Sequence, residues 1–158
     1  MIANRNEKGM NAMKWVTREN ANVDRIACPW LIRRFIDKDA EFLYVPRDEV
    51  LATADKEGAH SYDAPGATYT HRDGKCSFDV LVDEFGLTGD AALVRLAEIV
   101  HAADVSDDRN TSPEGPGLYA IAHGFALVHG TADHDKLELE TPMYDALYAW
   151  CKDQVSAS

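Results

Sequence analysis

A chain of 158 residues, 46% hydrophobic and 27% charged, has room for one domain with a real core but not for two comfortable ones, and its composition is that of a soluble globular protein. A net charge of −11 at pH 7 argues against a nucleic-acid face, because phosphate binding needs a local surplus of Lys and Arg. No basic amphipathic segment is available for a membrane surface either. An anionic ligand would need arginines focused locally against the global field. Arg25, Arg33, Arg34 and Arg47 are the residues for that task. Cys28, Cys76 and Cys151 are widely spaced and form no C-x-x-C pair, which argues against a four-thiolate zinc site and for reduced thiols. No apolar run has the length of a signal peptide or a membrane span, so the expected compartment is the cytoplasm.

Residues 1–12 are polar and aperiodic, as in a flexible N-terminal arm; residues 13–153 form the single domain and 154–158 a tail. Met13 to Thr17 has strand propensity. Asn20 and Asn22 supply turn and capping chemistry for a helix opening near Val23. On that helix Asp24 and Cys28 share one stripe with Leu31 and Phe35, which sets an acid and a thiol among core residues. Pro29 would bend such a helix and remove one of its hydrogen bonds. The expectation is therefore a helix starting nearer Cys28, with Asp24 in a mobile loop ahead of it.

Phe42 to Val45 reads as a strand, and Pro46 and Asp48 begin a short helix to about Asp55. The run 68–72, TYTHR, is β-rich and ends at the turn dipeptide Asp73-Gly74. Ser77 is placed to cap a helix from Phe78 to Phe85, closed by Gly86. Thr88 or Asp90 caps the next helix, which runs to about Asp104. Ser112-Pro113-Glu114 has the form of another helix start, with Leu118, Ile121, Ala122 and Phe125 on one face. A last helical region spans about 132–152, kinked or restarted at Thr141-Pro142. Five or six helices with a few short strands define a mainly α, α+β fold.

The clearest polar anomaly is His101-x-x-Asp104. Helical spacing sets an imidazole and a carboxylate on one side, close enough to share a metal or a proton. The ordinary alternative is a solvated last turn, but a carboxylate is unfavourable at a helix C-terminus. His71 ends the β-rich run just before a tight turn, a place where a scaffold fixes a ligand. Asp79 follows one turn into the next helix. His71, His101 and Asp104, with Asp79 or Asp24, make a mixed nitrogen and oxygen set suited to iron, manganese or zinc with an open position. No nucleophile elbow, Walker loop or dinucleotide glycine pattern is present.

Taken together, DRIACPWLIRRFID, the EFLYVP strand, THRDGKCSFDVLVDEFGL, the HAAD segment and YDALYAWC resemble the C-terminal domain of the ChrB chromate-resistance proteins over residues 13–153. Asp24, Cys28, Trp30, Arg33, His71, Cys76, His101 and Asp104 carry the likeness. It implies a role in chromate resistance, since full-length members regulate a chromate-inducible efflux operon. The N-terminal half of those regulators has no counterpart here, so direct operator binding is not expected.

The expected function is a cytoplasmic stress-response domain that binds a metal and senses or handles an oxyanion or oxidant. Chromate is a dianion and an oxidant, which suits guanidinium recognition beside thiols. Arg25 or Arg33 would attract the anion, Cys28 and Cys76 would be redox-active, and Asp24 and Arg33 would complete the reactive set. Two other classes compete: a metal-dependent enzyme, either a hydrolase or an oxidant reductase, and a non-catalytic interaction module. The sequence leaves homo-oligomerisation open.

Overall fold

The computed structural model describes residues 13–157, so the arm expected over 1–12 lies outside the described residues. In chain order the elements are β1 (Lys14–Arg18), α1 (Val23–Leu31), β2 (Glu41–Val45), α2 (Val50–Glu57), β3 (His60–Ser61), α3 (Ser77–Glu84), α4 (Ala91–Asp104), α5 (Gly115–His129) and α6 (Asp133–Ala157). Among the described residues, six α-helices around a three-stranded sheet make the fold α+β and mainly α. No helix among the described residues is long and apolar enough to cross a membrane.

The sheet is parallel in the order β2-β1-β3, with Lys14 opposite Glu41, Arg18 opposite Val45, and Trp15 opposite His60. A central parallel strand is covered on both faces, and β1 buries Trp15, Val16 and Thr17 in succession. Val16 packs with Val50 of α2 and with Ala64, whereas Trp15 joins the larger core built with α1, α3 and α4. Parallel strands end at one edge. Arg18 closes β1 there, Arg47 follows β2, Asp63 follows β3, and α1 starts from the same edge. In parallel sheets this carboxyl edge, where chain connections diverge to either side of a central strand, is the usual place for a ligand.

Several local expectations need correction. α1 begins at Val23 and runs through Pro29, so Asp24 sits in a helical first turn and not in a loop. Proline has no N–H to give the carbonyl of Arg25, four residues back. The Tyr44 hydroxyl of β2 donates to that oxygen instead, at 2.9 Å. Beyond Leu31 the helix widens into a π-type turn over Ile32–Ile36, closed where the Asp37 N–H donates to the Ile32 carbonyl. TYTHR is no strand: Tyr69 makes one bridge to Tyr62 and Arg72 one to Lys75, while the short strand lies earlier, at His60–Ser61. The cap of α3 is Cys76 and not Ser77. α6 continues through Pro142 without a restart, and residues 154–157 are helical.

Candidate metal centre

Asp24 is 1% exposed. Its Oδ2 accepts the Ser77 N–H at 2.8 Å, while its Oδ1, also buried, has no hydrogen-bond partner among the described residues. Burial, reinforced by the charge of Asp104, pushes the Asp24 pKa well above the usual carboxylate range, with His71 acting against the shift. Ser77 is free to serve Asp24 because Cys76 takes the capping position one residue earlier.

Asp63 follows β3 with a left-handed backbone, φ 46°. Its carbonyl accepts from Thr17 Oγ1 at 3.3 Å and Arg18 Nε at 3.0 Å, which ties this turn to β1. Its Oδ1 accepts the Ser77 hydroxyl at 2.7 Å, and its Oδ2 faces Arg25 at 3.3 Å and Arg18 at 3.5 Å. Burial opposes the charged form of Asp63. Hydrogen bonds from His71 and Ser77, with the charge of Arg25, outweigh that penalty and hold its pKa below the usual range.

The His71 imidazole, 47% exposed, brings Nε2 to 3.0 Å from Asp104, 3.2 Å from Asp63 and 3.5 Å from Asp24. Asp104 above all, then Asp24 and Asp63, push its pKa up to about 12. A single imidazole nitrogen carries at most one proton, so it cannot satisfy three carboxylates at once. The misfit, together with the orphaned Oδ1 of Asp24, is what a cation among these groups would relieve: the donor set fits a metal. Asp24, His71 and Asp104 each offer one atom, all within 4.8 Å of one another.

A neighbouring constellation lies across α3 and α4. Asp79 Oδ2 receives the Cys76 N–H at 3.1 Å, the Cys76 thiol at 3.3 Å and His101 Nδ1 at 2.7 Å. The other nitrogen of His101 meets Asp108 Oδ2 at 2.7 Å. Burial works against a charged His101, but Asp108 and Asp79 outweigh it and raise its pKa.

The expected ligands therefore do not form one set. His71 and Asp104 gather with Asp24, and His101 and Asp79 gather with Cys76. Cys28 lies in the core at 0% exposure, where burial and then the charge of Asp24 push its thiol well up. The Cys76 thiol is raised for the same first reason. Neither thiol has the lowered pKa that marks reactive cysteines. Arg33 stacks over Phe42 at 4.8 Å and reaches the Ala40 carbonyl, and Arg34 pairs with Asp145 at 2.8 Å. Of the arginines singled out in the sequence, Arg25 is the one beside Asp63. Sequence reasoning passed over Arg18, Asp63, Ser77 and Asp108. Arg18 directly follows the strand expected from Met13 to Thr17, which was a signal, whereas Asp63 follows β3, a strand the sequence did not reveal, and had none.

The chain belongs to the family described as ChrB, C-terminal domain, whose pattern it matches over residues 15–151. The chain is 42% identical over 123 residues to Protein ChrB of Cupriavidus metallidurans, an alignment taking in 78% of this chain and 36% of that protein. It thus spans only about a third of that curated relative's length. No solved structure matches it.

Proposed function

We propose that this domain binds a divalent transition metal through Asp24, His71 and Asp104, and uses the arginines beside that centre to recognise an oxyanion, chromate, in a chromate-resistance response. The observation that carries the reading is the convergence of three carboxylates on His71 Nε2. Nitrogen and oxygen ligands of this kind suit iron, manganese or zinc. The half-exposed position of His71 supports an open coordination position on the solvent side.

The anion side of the reading rests on Arg18 and Arg25. Both guanidiniums lie against the single carboxylate of Asp63, and the positive charges of Arg25 and Arg47 act on Arg18. This is a local cationic spot on an acidic chain, built on the carboxyl edge of the sheet. A dianion approaching it would meet planar donors suited to paired oxygens.

Metal determination on protein purified without chelators tests the first half. About one metal per chain is expected at this centre, so Asp24→Asn and Asp104→Asn should each carry one equivalent less than wild type; wild-type protein that neither carries nor takes up metal overturns it. Equilibrium binding of chromate tests the second. Saturable binding in wild type should weaken at least tenfold in Arg18→Ala and Arg25→Ala; equal binding by those variants overturns it. Reductant consumed in proportion to chromate lost would identify an enzyme instead of a sensor.

A further inference from the structure

The proposed centre leaves the Cys76, Asp79 and His101 constellation unused. We propose that Cys76 Sγ, the Asp79 carboxylate and His101 Nδ1 form a second cation site, for a divalent metal of the zinc class. It lies beside the first on α3 and α4 but depends on different ligands. The reading goes beyond the one above and does not need it to hold.

Three observations point to a cation here. First, a single oxygen, Asp79 Oδ2, faces a thiol, an imidazole nitrogen and a backbone N–H within 3.3 Å. Three side-chain ligand atoms, one each of sulfur, nitrogen and oxygen, lie within 4.8 Å of one another. That mixture matches zinc, whose sites combine cysteine, histidine and carboxylate ligands and keep a fourth position open when three are supplied by protein. Second, Asp108 holds His101 Nε2 at 2.7 Å. Metal-bound histidines commonly carry a carboxylate on the nitrogen facing away from the metal, which fixes the ring and raises its basicity. Asp108 is thus a positioning residue. Third, Asp79 lines a surface pocket whose wall carries Asp83 and Glu98 beside Val82, Val94 and Ala97. The pocket leaves the Asp79 ligand reachable from solvent, with Lys75 already engaged by Asp83.

The ligand chemistry balances simply. As the metal binds, the Cys76 S–H proton and the proton on His101 Nδ1 leave to solvent, and the thiolate and imidazole donate lone pairs; no electron is transferred. α4 connects the two centres, since His101 and Asp104 lie one helical turn apart. α3 connects them again: Cys76 is a ligand of one, and the N–H of the next residue holds Asp24 of the other.

Cobalt(II) chloride titrated into the reduced, chelator-treated chain reads both sites by absorption. About two equivalents are expected, with a thiolate-to-cobalt charge-transfer band in the near ultraviolet that saturates with one of them. Cys76→Ser keeps a side chain able to cap α3 and should lose the band and one equivalent. Asp104→Asn should lose one equivalent and keep the band. Asp108→Asn should weaken cobalt binding at the thiolate site about 10–100-fold while leaving the band at saturation. Should Cys76→Ser fail to fold, His101→Gln on α4 must remove the same band. A wild-type chain without the band, or a band that survives Cys76→Ser or His101→Gln, overturns this site. One equivalent with the band upholds it and overturns the first centre instead.

Discussion

At the scale of single residues, Asp63 separates what holds the domain together from what would hold a ligand. Its carboxylate is buried against Ser77, Arg25 and Arg18, and its carbonyl is bound to β1. Asp63→Ala would leave two partly buried guanidiniums facing each other without a counter-charge. A cost of about 2–3 kcal/mol is expected in urea unfolding, below the full price of a broken buried pair because both arginines keep some water contact. Asp104→Asn, by contrast, removes one of three negative charges gathered around a single proton while keeping an acceptor oxygen, so its stability without metal should stay within about 1 kcal/mol of wild type.

Glu140 of α6 gives a pH test outside either ligand set. Burial pushes its pKa up to about 8, against an opposing pull from Lys136, and its Oε1 has no hydrogen-bond partner among the described residues. The folded state keeps this proton where the unfolded chain has released it. Stability is therefore lost as pH rises from the ordinary carboxylate range through about 8, on the order of 5 kcal/mol in total. Glu140→Gln should flatten that slope in urea midpoints taken at a series of pH values. In the sequence Asp24 was visible because an acid stood on an apolar helical stripe. Asp63 was not, because nothing around an aspartate before Ala-Pro-Gly tells a buried anchor from an ordinary turn residue.

At the scale of elements, Pro29 shows how tertiary contact overrides a local rule. A proline at the seventh position of α1 removes one helical hydrogen bond, and sequence reasoning concluded that the helix must start later. The carbonyl it strands is taken by Tyr44 from a strand paired only later in the chain, a partner no local window contains. The arrangement makes a double-mutant cycle informative. Tyr44→Phe should cost about 1–2 kcal/mol by leaving the Arg25 carbonyl unpaired. In a Pro29→Ala background, where the helix supplies its own N–H, the same change should cost markedly less, with a coupling of about 1 kcal/mol. Equal costs in both backgrounds would show that Tyr44 contributes through its ring alone. The one-residue error in the α3 cap had a larger consequence. Serine outranks cysteine as a cap, yet Cys76 capping is what releases both donors of Ser77 to Asp24 and Asp63. The helices and the two longer strands were readable from periodicity and propensity. The division of the ligands into two sets was not, because it depends on how α3 and α4 face the sheet.

At the scale of the whole molecule, the first centre joins three parts of the chain that lie far apart in sequence. Asp24 comes from the helix following the central strand, His71 from the long connection after β3, and Asp104 from the end of α4. A cation bound there cross-links the sheet edge to the helical cover, and unfolding must break it. It also acts against the self-repulsion of a chain with net charge −11. Binding only the folded state stabilises it by about 2.7 kcal/mol at a hundredfold excess over Kd, which for a domain of this size raises Tm by roughly 5–10 °C. Monovalent salt also relieves repulsion, but by screening, so its effect should grow gradually and without stoichiometry. Differential scanning fluorimetry of the chelator-treated chain separates the two. A Tm that rises saturably with micromolar metal in Cys76→Ser, but not when Asp24→Asn or Asp104→Asn is combined with it, is the expected pattern. A rise that persists in those double variants, or that follows ionic strength alone, would mean that the three carboxylates around His71 are held by the imidazolium and not by a metal.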